Sequence, residues 1–371
     1  MNSGAAEFVR SFVLQRTSVN LPVKTLVLAL GLGAFVAVSP AAYSAPAQQS
    51  APAKTAAAKK TVRKAAPKKK ASAKQATLRK NAKAKKKPKA RYVKIRRAPS
   101  QATLAGLRET PDALSLGSSV AYAVDQDTGE ELFSKNADVE LPIASVTKLM
   151  TALVIAESGL PLNQKIRITR EDYVRSRASS KIRSGMVMTR GAVLQAALMS
   201  SDNRAATALA RTYPGGRRAF VQKMNETAER LGMEDSYFAD PSGLDNRNHS
   251  TARDLAKLVS AAHEHESIRE ASTSPAARLK AGRYFLKLQT TNRLIGNPDW
   301  NIGVQKTGFT TAAGRCMVVQ SEFADRRVVM VLLDSPNSAQ RAADMQTMRR
   351  FVENESDINA QFSEALPYEI F

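Results

Sequence analysis

Residues 46–99 restrict a stable fold to the rest of the chain. The stretch contains 20 Lys and Arg residues and neither Asp nor Glu. Because like charges at this density repel one another and there is little apolar surface to bury, we expect a disordered basic tail over 45–100. The following residues, 100–371, carry 33 basic and 32 acidic residues, a net charge of +1. The net charge of +23 on the whole chain therefore does not indicate a nucleic-acid-binding domain.

The first 44 residues have the layout of an export signal. Arg10, Arg16 and Lys24 precede the apolar run "TLVLALGLGAFVAV", and the small-residue run "SPAAYSA" follows it. The apolar run is about 14 residues long, which is shorter than the ~20 residues that span a bilayer. We therefore predict a Sec-type signal peptide over 1–44, cleaved after Ser44, and a periplasmic or otherwise exported protein. An uncleaved membrane anchor is the alternative.

Residues 101–371 are numerous enough for one domain with a sizeable core. Alternating apolar and polar residues in "SSVAYAVDQDTGEELFSKNADVELPI" predict a β-hairpin with its turn at Asp127–Gly129. Mostly helical sequence runs from about 165 to 280. After it come the strand-like segments "NIGVQKTGFT", "CMVVQSEF" and "RRVVMVLLD" and a last amphipathic helix, "SAQRAADMQTMRRFVE". This order predicts an α+β fold, an antiparallel sheet flanked by helices with an inserted, mainly helical lobe over roughly 150–280.

The segment "ASVTKLMTALVIAESGL", which begins at Ala144, combines a serine and a lysine with an apolar, buried helix. Ser145 and Lys148 are three residues apart, so on a helix their side chains lie on one face. A serine hydroxyl needs a neighbouring base to become a nucleophile, and a lysine can serve if burial or a nearby positive charge lowers its pKa. The N-terminus of the helix would also present backbone N–H groups to an oxyanion. The pair is therefore a candidate nucleophile and base.

Two further motifs strengthen this hypothesis. "SDN" at 201–203 follows the predicted helix "GAVLQAALMS", and "KTG" at 306–308 lies in a predicted strand. Ser-x-x-Lys, Ser-Asp-Asn and Lys-Thr-Gly, in this order, are the signature of class A β-lactamases and penicillin-binding proteins. The sequence resembles that superfamily in the order, spacing and structural context of all three motifs.

The resemblance can be narrowed to one branch. "ASVTKLMTA", "LMSSDNRAA", "ADPSGLD", "STARDLAKL" and "KTGFTTAAGRC" are similar to the low-molecular-mass penicillin-binding proteins, and most similar to the D-alanyl-D-alanine endopeptidases. The match extends from about 110 to 350 and implies a β-lactamase/transpeptidase-like fold. Only 63 residues follow Gly308, enough for two strands and a helix. We therefore expect neither the additional β domain nor the amphipathic anchor of the related carboxypeptidases.

The resemblance implies a role for each residue of the first two motifs. Ser145 would be the acylated nucleophile, and Lys148 would be its general base. Ser201 would relay a proton to the leaving amine. Asn203 would hydrogen-bond the substrate backbone.

The resemblance also implies roles for the third motif. Lys306 would supply a positive field that helps to keep Lys148 neutral and attracts a carboxylate. Thr307 would bind that carboxylate, and Gly308 belongs to the same substrate-binding strand. The backbone N–H groups of Ser145 and Phe309 would form the oxyanion hole.

The implied reaction is acyl transfer from D-Ala to water, through an acyl-enzyme, on the stem peptides or cross-bridges of peptidoglycan. It needs no metal and no organic cofactor. The "HEHE" segment at 263–266 lacks a third ligand, so we do not predict a metal site there. β-Lactams are expected to acylate Ser145 as substrate mimics.

Three alternatives remain open at this point. A D-alanyl-D-alanine carboxypeptidase would cut after the same residue. A class A β-lactamase is less compatible, because we find no Glu-x-x-Asn motif for deacylation. The third alternative, from another class, is a non-catalytic protein that binds the cell wall through its basic tail. That tail is either a solvated spacer or a tether to anionic envelope polymers.

Overall fold

The computed structural model describes residues 98–176, 178–323 and 325–365, with side-chain surroundings as far as residue 354. The predicted signal peptide and nearly all of the basic tail lie outside the described residues. Within the described ranges, no helix is both long and apolar enough to cross a membrane. The boundaries at 44 and 100 therefore remain predictions.

Runs of strands and runs of helices follow one another along the described chain. The strands are β1 (Val120–Asp125), β2 (Glu131–Lys135), β3 (Leu141–Pro142), β4 (Lys165–Arg167), β5 (Val187–Thr189), β6 (His249–Ser250), β7 (Ala276–Ala281), β8 (Tyr284–Gln289), β9 (Asn301–Thr310), β10 (Gly314–Phe323) and β11 (Arg326–Ser335). The α-helices are α1 (Gln101–Leu104), α2 (Thr147–Glu157), α3 (Arg190–Met199), α4 (Asn203–Arg211), α5 (Gly216–Arg230), α6 (Ala252–His263), α7 (Glu266–Thr273) and α8 (Ser338–Ala365). Three short 3₁₀ turns cover Leu107–Glu109, Ala144–Val146 and Arg170–Asp172.

A five-stranded antiparallel sheet with strand order β2-β1-β11-β10-β9 forms the centre of the structure. The predicted hairpin is its β1–β2 pair. Asp125 Oδ1 closes the turn by accepting hydrogen bonds of 2.9 Å from the N–H groups of Asp127 and Thr128. The three strands predicted near the C-terminus are β9, β10 and β11, and α8 follows them as predicted. The structure thus confirms the α+β class and the antiparallel sheet.

Apolar side chains cover both faces of this sheet. One face packs against the helical part of the molecule through the core around Leu149, Leu153 and Val329. The other face packs against α8 through the core around Met330 and Met345. Because α2 is buried on every side, its apolar sequence is a packing requirement rather than a membrane signal. The sheet therefore lies between two helical layers, and β9 forms one edge.

The stretch from 165 to 280 is less helical than expected. Helices α3 to α7 are present, but the pairs β4–β5 and β7–β8 are hairpins that we did not predict. The predicted helix "GAVLQAALMS" is α3, and α4 begins at Asn203, after Ser201 and Asp202. The chain leaves the helix because Ser201 adopts a positive φ of 57°. Asp202 then caps α4 by accepting a 3.0 Å hydrogen bond from the Ala205 N–H.

Candidate active site

Ser145 lies in the 3₁₀ turn that leads into α2, and its side chain is only partly buried. Lys148 lies in the first turn of α2 and is fully buried. Its Nζ donates a 2.8 Å hydrogen bond to Ser145 Oγ. The spacing of three residues thus brings the predicted nucleophile and base into direct contact, with the hydroxyl toward the surface and the amine in the interior.

The Lys148 amine has three hydrogen-bond acceptors. Besides Ser145 Oγ, they are Asn203 Oδ1 at 2.7 Å and the Ser242 carbonyl oxygen at 2.5 Å. Burial lowers the pKa of Lys148 to about 7, although the carboxylates of Asp240 and Asp202 act to raise it. A substantial fraction of the amine is therefore unprotonated near neutral pH, as a general base requires.

A second lysine and serine lie beside the first pair. Lys306 Nζ donates hydrogen bonds to Ser201 Oγ at 3.0 Å and to the Thr307 carbonyl at 2.7 Å. The pKa of Lys306 lies well below its ordinary value, first because the side chain is fully buried and then because of the charge on Lys148. Burial is the largest cause of the lowered pKa at Lys148 as well, and a contribution of the Lys306 charge to it stays a prediction.

Strand β9 passes very close to the turn that carries Ser145. A Cβ atom on Gly308 would lie 2.9 Å from the Ile143 carbonyl oxygen and 3.2 Å from the Ser145 nitrogen. Only glycine allows this approach, and the next residue along the strand is Phe309. The two backbone N–H groups predicted to form the oxyanion hole thus belong to segments in close contact.

Thr307 lies in the C-terminal half of β9, next to Lys306, and is buried. Its Oγ1 is 2.7 Å from the Oγ1 of Thr291, and either hydroxyl can be the donor. Thr291 follows the β7–β8 hairpin and did not figure in the sequence prediction. The contact holds Thr307 in one orientation and connects the hairpin to the candidate site.

The turn at 240–245, "DPSGLD", supplies a part of the site that we did not predict. The Asp240 carboxylate accepts hydrogen bonds from the N–H groups of Ser242, Gly243 and Asp245, the last at 2.6 Å. This turn directs the Ser242 carbonyl at Lys148. Gly243 has a φ of 79°, and a Cβ there would lie 1.8 Å from the Ala144 carbonyl oxygen. The Asp-Pro and Ser-Gly pairs were a turn signal, but nothing local indicated where the turn would pack.

A cavity of about 320 Å³ opens beside these groups. Ser201 and Asn203 lie in its wall, the serine-rich segment 176–180 (Arg177 excepted) faces them, and Tyr173 is exposed at its rim. Asn203 Nδ2 donates a 3.4 Å hydrogen bond to Ser176 Oγ. The cavity thus adjoins both lysines through two of its wall residues, since Asn203 contacts Lys148 and Ser201 contacts Lys306.

A serine activated by a buried lysine, beside an edge strand that carries Lys-Thr-Gly, occurs in one group of acyl-transfer enzymes. Fold and site together define a serine enzyme of the penicillin-binding protein and β-lactamase class. A family model described as D-alanyl-D-alanine carboxypeptidase matches residues 107–337. The chain belongs to this family of peptidases.

Similar proteins agree with this assignment. A D-alanyl-D-alanine endopeptidase of Pseudomonas aeruginosa is 42% identical over 241 residues, which cover 64% of this chain and 78% of that protein. A D-alanyl-D-alanine endopeptidase of Escherichia coli is 36% identical over 259 residues, covering 69% and 84%. The Streptomyces K15 DD-transpeptidase structure superposes with a TM-score of 0.60 at 28% identity, covering 65% of this chain and 98% of that one. Penicillin-binding protein D2 of Listeria monocytogenes, in its ampicillin-bound form, gives 0.57 at 30% identity, covering 65% and 99%.

Proposed function

We propose that the protein is a serine D-alanyl-D-alanine endopeptidase that cleaves peptidoglycan cross-links through an acyl-enzyme. The observation that carries the proposal is the 2.8 Å hydrogen bond between Ser145 Oγ and a fully buried Lys148 whose pKa is about 7. The choice of endopeptidase rests on the names of the relatives that are 42% and 36% identical.

In the acylation step, Ser145 Oγ bonds to the carbonyl carbon of D-Ala while its proton passes to the Lys148 amine. The carbonyl electrons move onto the oxygen, where the N–H groups of Ser145 and Phe309 stabilise the charge. When the carbonyl re-forms, the C–N bond breaks and the leaving amine takes a proton through Ser201. The proton that Lys148 took from Ser145 replaces the one that Ser201 gave away, so Lys148 is unprotonated again before hydrolysis. Lys306 orients the Ser201 hydroxyl through the hydrogen bond that it donates to Oγ.

In the hydrolysis step, water attacks the ester carbon and gives a proton to Lys148, and Ser145 departs with that proton. The product is a free D-Ala carboxylate, and the enzyme is restored. In this mechanism Asn203 and Thr307 hold the peptide backbone and a substrate carboxylate, and the Gly308 backbone completes the binding strand. All the reacting groups are side chains, backbone atoms or water.

A D-alanyl-D-alanine carboxypeptidase is the second candidate. The description of the matching family model favours it, as does a Bacillus subtilis carboxypeptidase that is 31% identical over 240 residues. Digestion of purified peptidoglycan, followed by mass analysis of the products, distinguishes the two. An endopeptidase removes cross-linked dimers, whereas a carboxypeptidase leaves the dimers and releases only terminal D-Ala.

The proposed substrate places the protein outside the cytoplasm, in agreement with the signal peptide predicted over 1–44. β-Lactams are proposed as covalent inhibitors that acylate Ser145. We further propose that the basic tail contacts anionic polymers of the envelope, because its positive charge has no acidic counterpart within the segment. Labelling with a fluorescent penicillin distinguishes a catalytic protein, which is acylated, from a non-catalytic wall-binding protein, which is not.

A further inference from the structure

The β7–β8 hairpin has one strongly basic face. Arg278, Lys280 and Lys287 are all exposed, and they alternate with the buried Leu279 and Leu286. We refer to Arg278, Lys280 and Lys287 as the basic face. Arg278 is directly opposite Lys287 in the strand register. Like charges in directly opposite positions destabilise an antiparallel pair, so this arrangement does not serve the stability of the hairpin.

Within the described part of the chain, no carboxylate pairs with the basic face. None of its three cations lies within 4.0 Å of a carboxylate in the ranges that the structure describes, although other Lys and Arg side chains there form ion pairs, for example Arg108 with Asp334 and Arg349 with Glu353. The sequence from 274 to 298 contains five basic and no acidic residues, and the sequence from 173 to 201 is also free of acidic residues. Residues 100–371 as a whole are nearly neutral, so the positive charge is concentrated locally.

The second acid-free segment adjoins the hairpin. Lys181 Nζ donates a 2.7 Å hydrogen bond to the Lys287 carbonyl, which adds a further exposed cation next to the basic face. The Gly282 N–H donates a 2.7 Å hydrogen bond to the Val187 carbonyl and fixes the hairpin tip against β5. The exposed ring of Phe285 lies 4.3 Å from the Arg278 guanidinium carbon, which holds that side chain in place. The face is therefore positioned rather than freely mobile.

The hairpin leads directly into the candidate site. Lys287 precedes Thr291 by four residues, roughly 13 Å of extended chain. The Thr291 hydroxyl contacts that of Thr307, and the Thr291 N–H donates a 3.1 Å hydrogen bond to the Met199 carbonyl at the end of α3. A polymer with its scissile bond at Ser145 can thus extend over the hairpin within a few residues.

We propose that the basic face binds carboxylates of the peptidoglycan peptides that flank the scissile bond. The inference rests on the proposed function and names a part of the substrate that the two serine–lysine pairs do not contact. Peptide stems carry carboxylates, and three exposed cations on one hairpin face are complementary to them in charge. The face would align a cross-linked polymer without taking part in bond cleavage, so its effect falls on KM.

The test uses the full-length mature protein with Arg278→Gln, Lys280→Gln and Lys287→Gln together. The substrate is soluble, cross-linked glycan fragments from purified peptidoglycan that has been freed of phosphate-bearing polymers. We expect KM to rise about tenfold at low salt, with unchanged kcat and unchanged acylation by a fluorescent penicillin. In about 1 M salt, where the Debye length is about 3 Å, the difference should disappear.

A matched control replaces three surface cations elsewhere by glutamine: Arg218 and Lys223 on α5 and Arg350 on α8. The control should retain the KM of the wild-type protein. A second arm uses fragments whose carboxylates have been amidated, on which the basic-face variant and the wild type should have equal KM values.

Equal KM values on the untreated fragments would overturn the proposal. So would a loss that persists on amidated fragments, or one that appears only when phosphate-bearing polymers remain attached. Failure of the proposed endopeptidase function looks different, because the wild type would then release only terminal D-Ala from the fragments. In that case, the KM values of the variant and the wild type are compared for D-Ala release. That comparison supports or overturns carboxylate binding by the basic face, whichever bond the enzyme cleaves.

Discussion

At the scale of single residues, the reactivity of the site depends on where Lys148 is buried. Its amine is enclosed, yet all three of its hydrogen-bond acceptors are uncharged oxygen atoms. The nearby carboxylates of Asp240 and Asp202 oppose the effect of burial, and the pKa settles at about 7. A more complete ion pair would keep the amine protonated, and a still less polar surrounding would make it a weaker base.

Replacement of the nucleophile should separate chemistry from folding. In Ser145→Ala we expect no covalent labelling by a fluorescent penicillin and a loss of turnover on the order of 10⁴–10⁶-fold, the scale for removal of a serine nucleophile. Because the side chain is small and partly exposed, the thermal unfolding midpoint should match that of the wild type. Retained covalent labelling would show that another residue is acylated.

Lys148→Arg tests whether the residue acts as a base. Arginine keeps the positive charge but does not deprotonate in proteins, so acylation should be lost as completely as in Lys148→Ala. The wild-type rate of penicillin acylation should rise with pH through about 7, because only the unprotonated Lys148 accepts the serine proton. Stopped-flow acylation rates between pH 5 and 9 measure both effects. Substantial activity in the arginine variant would reduce Lys148 to an electrostatic contact.

At the scale of elements, two separate segments enclose the turn that carries Ser145. Strand β9 approaches it through Gly308, and the 240–245 turn approaches it through Gly243. Each contact is closer than a side chain would permit. The break between α3 and α4 adds the third segment, because it turns Ser201 and Asn203 toward the two lysines. The site is therefore built by backbone approach as much as by side chains.

Asp240 is a positioning residue in this arrangement, and Asp240→Asn tests it. The amide has one acceptor oxygen instead of two, so it cannot accept all the N–H groups of the turn, and the Ser242 carbonyl should move away from Lys148. We expect about tenfold slower acylation. Because the charge of Asp240 raises the pKa of Lys148, its removal should also move the midpoint of the pH–rate profile to lower pH.

Asp245→Asn is the matched control, because that carboxylate pairs with Arg247 at the surface. It should leave both the acylation rate and the midpoint unchanged. If Asp240→Asn slowed the reaction with an unmoved midpoint, Asp240 would have only a structural role.

At the scale of the whole molecule, the sequence predicted the class of fold and seven residues that the structure brings together: Ser145, Lys148, Ser201, Asn203, Lys306, Thr307 and Gly308. Ser145, Lys148 and Lys306 could be predicted from the sequence, because a spacing of three residues and a strand motif are local patterns. The Ser242 carbonyl was not, because its partner Lys148 is 94 positions away and a backbone oxygen has no sequence signature. The β7–β8 hairpin was missed for a related reason. Its alternation is short and carries many cations, which also suit an exposed helix or loop.

The basic tail gives a prediction at this scale. Deletion of 46–99 from the mature protein should leave cleavage of small soluble peptides unchanged and should weaken sedimentation with intact sacculi. Twenty cations within one 54-residue segment would bind anionic polymers through many weak, salt-sensitive contacts. The difference should therefore vanish in high salt. Equal sedimentation of both proteins at low salt would leave the tail as a spacer.

The two glycine contacts at the Ser145 turn also have a consequence for folding. Gly308 belongs to the sheet, whereas Gly243 belongs to a loop among the helices, and the two glycines are 65 positions apart in the sequence. Ser145, the proposed nucleophile, reaches the observed geometry only when both regions have come together around it. Covalent penicillin labelling during refolding should thus mark the final docking step, later than the gain of helical circular dichroism. The rate at which penicillin labelling returns during refolding would therefore measure how fast the native structure is completed.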